Sequence, residues 1–401
     1  MEHKLNQQEV SNEVNEQRYM DVARRMNLLA LGPAPGAVFW KPKGSALYEN
    51  LRQFILNKHK QFNYSQVKSP QLVNMDLFDK SGHSEKYSDY MFSFKEDGLA
   101  LRPMSCPNHI VLYQSSLNSY RDLPVKYFEF GEVFRNEPSG SLQVLFRQRQ
   151  FCQDDAHVFA KPKDIQQLLQ DYLSLSEKVY KELGFEKVEY MISLRPEKRF
   201  GSDDLWDKAE GELIRACQEK GLSFGLEPGG GAFYGPKIEL KVRDKLNRLW
   251  QLGVIQLDYV LPERFDLHYI DENNQKVRPV ILHHAVLGSM ERMIGILLEV
   301  FGVDIPLFLH PVKAAVVSVS DKSKDYAIEV QKKLCQEHGW SSSECILDDE
   351  NAPLSQKIAK LSHDLIPQIY VVGPKESQLY NEQKIMKAML REGENNKSVQ
   401  I

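Results

Sequence analysis

The chain has 401 residues, 42% of them hydrophobic and 26% charged, which is enough for two or three domains with cores of their own. The net charge of −4 excludes a protein that binds nucleic acid over its whole surface, so any polyanion site must be a local patch. Five scattered cysteines without a C-x-x-C pair favour a reducing, cytoplasm-like compartment, and the sequence shows neither a signal peptide nor an apolar run of membrane-spanning length.

The N-terminal part of the chain begins with a polar stretch, which predicts a leader over residues 1–20. The segment "GPAPGAVFWKPKGSALYENLRQFI" starts with turn residues and becomes helical, with Ser45 as the expected N-cap and an apolar face that carries Leu47 and Leu51. Downstream, "YMFSF" and "GLALRPM" predict the two strands of a hairpin.

The most densely charged stretch is "FRNEPSGSLQVLFRQRQFCQDDAHVF", which covers residues 134–159. It predicts two strands joined by a loop that contains Pro138 and Gly140, with Arg147 and Arg149 alternating on the returning strand and so sharing a face. Arginines around a turn suit a phosphate ligand, because guanidinium groups bind phosphate through paired hydrogen bonds. A hairpin with solvated charges is the alternative that this pattern leaves open.

Further along the chain, apolar periodicity predicts a helix from Ile165 that Gly184 closes, and a second helix that Ser202 caps. "RLWQLGVIQLDYVL" predicts a strand buried on both faces, and "GSMERMIGILLEVFG" predicts an apolar helix. From about residue 307, strands and helices alternate. We therefore predict an α+β domain over residues 21–306, with an antiparallel sheet flanked by helices, and a small α/β domain over residues 307–401.

Several blocks of this sequence resemble one family. "YSQVKSP", "FRNEPSG…RQFCQDDAH" and "LGSMERMIGILLE" resemble, in order, the three signature motifs of class II aminoacyl-tRNA synthetases. "KSGHSEKYSDYMF", "LRPMSCPNH", "RPEKRFGSDDLWDKAE", "GAFYGPKIE" and "QLGVIQLDY" further resemble the threonyl-tRNA synthetases, from about Asp21 to Pro311. The resemblance implies a class II catalytic domain that activates L-threonine with ATP and Mg²⁺ and charges tRNA, in a homodimer.

The resemblance also implies roles for the charged stretch and for the helix that follows the third motif. Arg135 would bridge the α-phosphate and the carboxylate of the amino acid, and Arg147 and Arg292 would hold the outer phosphates. Glu137 would accept a hydrogen bond from the adenine amino group, and Phe151 would stack on the adenine ring. Gln251 and Ser289, with Lys237 as a further candidate, would complete the ATP site.

Cys106, His157 and His283 are far apart in the sequence, so their spacing alone carries no metal signal and leaves packing roles open. The resemblance implies that they bind zinc and leave one position open for substrate. Zinc would then select threonine over valine by the side-chain hydroxyl. The neighbouring His284 departs from the family, which usually has arginine there, and His109 is interpreted as structural.

Other side chains are assigned to the amino acid and to the transfer step, also by resemblance. Gln153, Asp155, Tyr234 and Gln256 would contact threonine. His83 would assist the terminal ribose hydroxyl of tRNA, with a surface histidine in a loop as the alternative.

The sequence departs from the family in two further places. Nothing before Asp21 has room for an editing domain, so we expect measurable serine activation. From His310 onward, 12 lysines and arginines stand against 13 acidic residues, so the acceptor end of tRNA is the expected partner and anticodon reading is in doubt. A paralogue with an atypical tRNA or a non-tRNA acceptor is the alternative function. A catalytically dead homologue would have lost a phosphate-binding arginine or a zinc ligand, and none is lost here. A related synthetase for serine or proline is disfavoured by the presence of Cys106, His157 and His283.

Overall fold

The structure is a computed structural model, and it describes residues 19–116 and 118–374. The leader expected over residues 1–20 lies outside these residues except for its last two. Residues 19–25 are helical. The strands are β1 (Leu29–Leu31), β2 (Val38–Trp40), β3 (Ser65–Gln66), β4 (Leu72–Asn74), β5 (Ser93–Phe94), β6 (Leu99–Leu101), β7 (Val125–Phe134), β8 (Gln150–Ala160), β9 (Glu189–Ser193), β10 (Phe224–Glu227), β11 (Lys237–Arg243), β12 (Leu249–Asp258), β13 (Tyr269–Ile270), β14 (Lys276–Val277), β15 (Val280–Ala285), β16 (Ala314–Ser318), β17 (Cys345–Asp348) and β18 (Ile369–Val372).

The helices follow the same chain order. They are α1 (Pro42–Gln61), α2 (Asp76–Ser81), α3 (His83–Tyr87), α4 (Cys106–Gln114), α5 (Ile165–Glu182), α6 (Asp203–Glu219), α7 (Leu261–Arg264), α8 (Met290–Phe301), α9 (Lys324–His338) and α10 (Leu354–His363). Among the described residues, none of these helices combines the length and the apolar character that crossing a bilayer requires.

The chain folds into two compact units, and the larger one is formed by residues 31–38 and 52–296. Its centre is an eight-stranded sheet with the order β10-β9-β11-β12-β15-β8-β7-β3. All neighbours from β9 to β7 are antiparallel, whereas β10 and β3 join the two edges in parallel. The α+β fold with an antiparallel sheet flanked by helices is therefore confirmed.

Helix α5 covers one face of this sheet because its apolar residues recur at helical spacing and form one buried stripe. Two tyrosines on that stripe also bond to the sheet. The hydroxyl of Tyr172 donates to the carbonyl of Ala285 over 3.2 Å, and that of Tyr180 donates to the carbonyl of Val286 over 2.9 Å. The opposite face of β8 and β15 is left for the site described below.

The predicted helix boundaries are right in two cases and wrong in one. Ser202 caps α6 by accepting a hydrogen bond from the amide of Leu205, and Gly184 ends α5 with a φ of 93°. Ser45 is not an N-cap, because α1 already begins at Pro42. Proline fits the first helical position, where its missing N–H removes no helical hydrogen bond.

The second unit contains, among the described residues, residues 19–30, 39–51 and 297–374. Strands β16, β17 and β18 form a parallel sheet with the order β17-β16-β18, and α9 and α10 connect them. Parallel neighbours need such crossover helices, which is the α/β alternation that the sequence predicted here, and residues 375–401 of the predicted domain lie outside the described residues. Lys357 of α10 is 3% exposed and binds the Ser318 carbonyl and the Asp348 carboxylate.

The imidazole of His59 is buried in the larger unit, where it stacks on Phe128 with 4.0 Å between the ring centroids. Burial lowers the pKa of His59 from 6.5 to about 4. The unfolded chain therefore binds a proton on His59 more readily than the folded chain does. The contribution of the neutral, buried imidazole to the free energy of unfolding is complete above pH 6.5 and is lost as the pH falls toward 4. We expect the free energy of unfolding, measured with urea, to fall by about 2 kcal/mol through His59 as the pH is lowered from 6.5 to 5.

The control for this prediction is His59→Leu, which keeps a buried apolar side chain but cannot titrate. Its unfolding free energy should fall by about 2 kcal/mol less than that of the unmodified chain over the same pH interval. Equal losses in the two proteins would show that His59 is not the acid-sensitive group.

Candidate active site

One row of side chains crosses five strands of the large sheet. The register pairs Lys237 with Gln256, Gln256 with His283, His283 with His157, and His157 with Tyr127. Residues that oppose each other on neighbouring strands point to the same face of a sheet. The alternation along β8 adds Phe151, Gln153 and Asp155 to that face.

Three of the buried side chains on this face form a group that we call the ligand cluster: Cys106, His157 and His283. Their sulfur and nitrogen atoms all lie within 4.8 Å of one another. Nε2 of His157 and Nδ1 of His283 have no hydrogen-bond partner among the described residues. One thiol and two imidazoles with free lone pairs could hold a metal ion such as zinc and leave it an open position.

The pKa shifts of the ligand cluster bear on whether its side chains can bind a metal ion. Burial lowers the pKa of His157, which keeps its imidazole neutral, as a metal ligand must be. Burial, and after it the carboxylates of Asp155 and Asp258, raises the pKa of the Cys106 thiol. A positive charge at the cluster, such as a metal ion, would favour the thiolate there.

His283, and not His284, belongs to the ligand cluster because successive residues of a strand face opposite sides. Nε2 of His283 lies 2.8 Å from a carboxylate oxygen of Asp258. His284 points to the other face, where its Nε2 lies 2.7 Å from the hydroxyl of Tyr64. The departure from the family at His284 therefore leaves the cluster unchanged.

Tyr234 and His83 stand next to the ligand cluster. The rings of Tyr234 and His283 are 5.4 Å apart, and those of His83 and Tyr234 are 5.8 Å apart. His83 is fully buried at the start of α3, so the alternative of a surface histidine in a loop is wrong. Its Nδ1 lies 2.6 Å from the Ser81 hydroxyl, its Nε2 has no partner among the described residues, and burial lowers its pKa to about 3.

A cavity of about 390 Å³ lies on the same face of the sheet. Two of its lining residues neighbour the ligand cluster on the sheet: Gln256 opposes His283 in the register, and Gln153 lies on the same face of β8 as His157. The site residues that the sequence indicated and that line it are Arg135, Glu137, Arg147, Phe151, Gln153, Lys237, Gln251, Gln256, Ser289 and Arg292.

Three arginines supply most of the positive charge that lines this cavity. The guanidinium of Arg135 lies over the ring of Phe151, 5.1 Å from its centroid. Arg292 donates from Nε and Nη2 to the carbonyl of Phe146 over 3.1 and 2.9 Å. Burial, followed by the charges of Arg135 and Arg147, lowers the pKa of Arg292. Like charges held together in this way attract an anionic ligand.

Comparison with known proteins decides the family. Residues 90–301 match the model of the tRNA synthetase class II core domain (G, H, P, S and T). A solved structure, titled the RNA binding domain of threonyl-tRNA synthetase from Cryptosporidium parvum Iowa II, shares 36% identity and a TM-score of 0.85 over 90% of both chains. The chain belongs to the threonyl-tRNA synthetase family of class II aminoacyl-tRNA synthetases.

Curated members of this family are longer than the present chain. Threonine–tRNA ligases from Leptothrix cholodnii and Thiobacillus denitrificans are 41% and 42% identical to it over 367 and 369 residues. These matches cover 91% of this chain and 57% of each relative. The chain thus spans little more than half the length of these synthetases.

The second motif of this synthetase fold differs from the sequence prediction in one respect. Strand β8 begins only at Gln150, so Arg147 and Arg149 do not alternate on a strand. Arg147 lies in a turn closed by its amide, which donates to the Gln143 carbonyl, and its guanidinium binds the Glu137 carboxylate over 2.8 Å. Arg149 instead donates to the Glu137 carbonyl over 3.0 Å and does not line the cavity.

Sequence reasoning missed several residues that line the cavity: Leu145, Phe146, Gln148, Ala232, Leu252, Val254 and Gly288. Gly288 carried a usable signal, since it immediately precedes Ser289 in the third motif. Its φ is 80°, and a Cβ there would lie 2.4 Å from the carbonyl oxygen of Leu252, so only glycine fits. Phe146 could have been suspected as an apolar residue inside a charged loop.

Proposed function

We propose that this chain activates L-threonine with ATP to form threonyl-adenylate and then transfers the threonyl group to tRNA. The observation that carries the proposal is the juxtaposition of an arginine-lined cavity with the ligand cluster on one face of the sheet. A nucleotide site beside a site for an amine and a hydroxyl is what the reaction requires.

The nucleotide is assigned to the cavity. Arg135 would contact the α-phosphate and the substrate carboxylate, while Arg147 and Arg292 would hold the outer phosphates together with Mg²⁺. One oxygen of Glu137 accepts two hydrogen bonds from Arg147, so a move of Arg147 to a phosphate would free Glu137 for the adenine amino group. Phe151 offers its ring for stacking, and Gln251 and Ser289 complete the lining.

The activation step is an in-line displacement at phosphorus. A carboxylate oxygen of threonine forms a bond to the α-phosphorus, the bond from the α-phosphorus to the bridging oxygen breaks, and pyrophosphate leaves. The protein supplies positioning and neutralisation of charge rather than covalent chemistry. The half-buried guanidinium of Arg292 is held in place by the Phe146 carbonyl, so it needs little reorganisation during the reaction.

The amino acid is assigned to the space around the ligand cluster. Zinc bound there would supply a Lewis-acidic position for the amine and the side-chain hydroxyl of threonine. Asp155 has one carboxylate oxygen without a partner among the described residues, and this oxygen would accept a hydrogen bond from the substrate hydroxyl. Gln153, Tyr234 and Gln256 would enclose the rest of the amino acid.

His83 is assigned to the transfer step. Its low pKa keeps the imidazole neutral at physiological pH, and its Nε2 lone pair is free among the described residues. That atom would accept the proton of the terminal ribose hydroxyl of tRNA as this oxygen attacks the carbonyl carbon of the adenylate. AMP would then leave with the electrons of the broken bond.

For tRNA we propose binding of the acceptor end at this site. The second unit gives less support for anticodon reading, because the ammonium group of Lys357 is used internally by the Asp348 carboxylate and is not exposed to a phosphate. We also propose a homodimer in a reducing compartment such as the cytoplasm, to which the five free thiols are suited.

The test of this function is charging of total tRNA with labelled threonine, run beside threonine-dependent pyrophosphate exchange. Both reactions should proceed. Exchange without charging would show that the acceptor is not tRNA, and the absence of both would overturn the proposal.

Pyrophosphate exchange should also show a defined order among competing amino acids. Serine should be activated measurably, because it offers the same amine and hydroxyl as threonine and differs by one methyl group, which discriminates by only about 10–200-fold. Valine has the shape of threonine but no hydroxyl, so its exchange should be at background. Valine-dependent exchange comparable to that with serine would contradict selection through the hydroxyl.

A further inference from the structure

A hydrogen-bonded series of buried polar side chains begins at His157 and leads away from the ligand cluster. The Nδ1 atoms of His157 and His109 lie 2.8 Å apart, and Nε2 of His109 lies 3.2 Å from a carboxylate oxygen of Glu129. Arg102 donates to the same oxygen over 2.7 Å, and the hydroxyl of Ser69 donates to it over 2.7 Å as well. All five side chains are buried.

The hydrogen positions in this series of side chains follow from the carboxylate of Glu129 at its far end. Glu129 is paired with the guanidinium of Arg102, so it is an ionised acceptor and Nε2 of His109 must donate to it. In the tautomer of His109 that carries its hydrogen on Nε2, the lone pair lies on Nδ1, which accepts the Nδ1 hydrogen of His157. His157 is thereby left with a lone pair on Nε2, the atom that has no partner among the described residues.

We propose that His109, oriented by Glu129, is a positioning residue that fixes the metal-binding tautomer of His157. The inference rests on the zinc site of the proposed function and goes beyond its three ligands. His283 is oriented in an analogous way by the carboxylate of Asp258, at 2.8 Å from its Nε2. Both imidazoles of the ligand cluster are thus aligned by carboxylates, one directly and one through a second imidazole.

The test compares two amides of similar size in the full chain. His109→Asn places its side-chain carbonyl near the position of Nδ1, where it can accept the hydrogen of His157. His109→Gln places its amide one bond further out, toward Glu129, and offers no acceptor to His157. Zinc content by elemental analysis and zinc affinity by chelator competition should be near normal for His109→Asn and about 10–100-fold weaker for His109→Gln.

A spectroscopic measurement separates orientation of the ligand from general loss of structure. With cobalt(II) in place of zinc, the visible absorption bands should be retained in His109→Asn and altered in His109→Gln. His59→Leu removes another buried histidine that faces away from the cluster, and it should leave both the affinity and the bands unchanged.

The possible failures are distinguishable. If the unmodified chain binds no zinc, the zinc site of the proposed function fails and the positioning role fails with it. If the unmodified chain binds zinc and the Asn and Gln variants bind it equally well, only the positioning role of His109 is overturned.

Discussion

Cys106→Ala is expected to abolish zinc binding and to lower threonine-dependent pyrophosphate exchange by on the order of 10³-fold. The thiol is one of three donors within 4.8 Å of one another, and two imidazoles alone do not make a closed structural or catalytic zinc site. Elemental analysis of the purified protein measures the metal, and exchange at saturating ATP measures the activation step.

The matched control is Cys217→Ala. Cys217 is a fully buried thiol on α6 of the same unit, where its role is packing, so it tests the loss of a buried sulfur without the loss of a ligand. The control should keep its zinc and its exchange activity. If Cys106→Ala also kept both, the assignment of the amino-acid site to the ligand cluster would be wrong.

Arg135→Ala should lower kcat for adenylate formation by about 10²–10³-fold while leaving zinc content unchanged. The guanidinium of Arg135 lies beside Phe151 in the cavity and would meet the charge that develops on the α-phosphate. The combination of lost exchange with retained zinc would distinguish this variant from Cys106→Ala, because the proposed function assigns the two residues to different halves of the site.

Arg149→Ala is the matched control for charge and sequence position. The guanidinium of Arg149 binds the Glu137 carbonyl and the Ser139 hydroxyl and does not line the cavity, so its removal should cost far less in kcat. Equal losses in the two variants would mean that the general positive charge of the loop, and not the placement of Arg135, supports the reaction. Such a result would reassign the phosphate contacts.

Strand periodicity accounts for the placement of the residues that follow the turn of the second motif. In "QFCQDDAH" the period of two places Phe151, Gln153, Asp155 and His157 on one face, and β8 has this alternation over its full length. Periodicity failed for Arg147 and Arg149 because the residues before Gln150 form a turn. Hydrogen bonds to Gln143 and Glu137, which no alternation encodes, set their directions.

The burial of His83 was equally inaccessible to sequence reasoning. Its neighbours in the chain are polar, and the stretch "SGHSEKY" is typical of a surface loop. The side chain is buried because Phe233 and Tyr234, far along the chain, pack their rings against it at 5.4 and 5.8 Å. A contact of that kind depends on the tertiary fold alone.

By itself the sequence determined the α+β and α/β fold classes, the order of the class II motifs and the residue types that could bind a nucleotide and a metal ion. Only the tertiary structure decided that His157 and His283 oppose each other on neighbouring strands and that Cys106 closes the group from the start of α4. The physical reason is that side-chain alternation fixes which face of a strand a residue occupies, whereas the choice of neighbouring strand follows from packing between segments far apart in the chain.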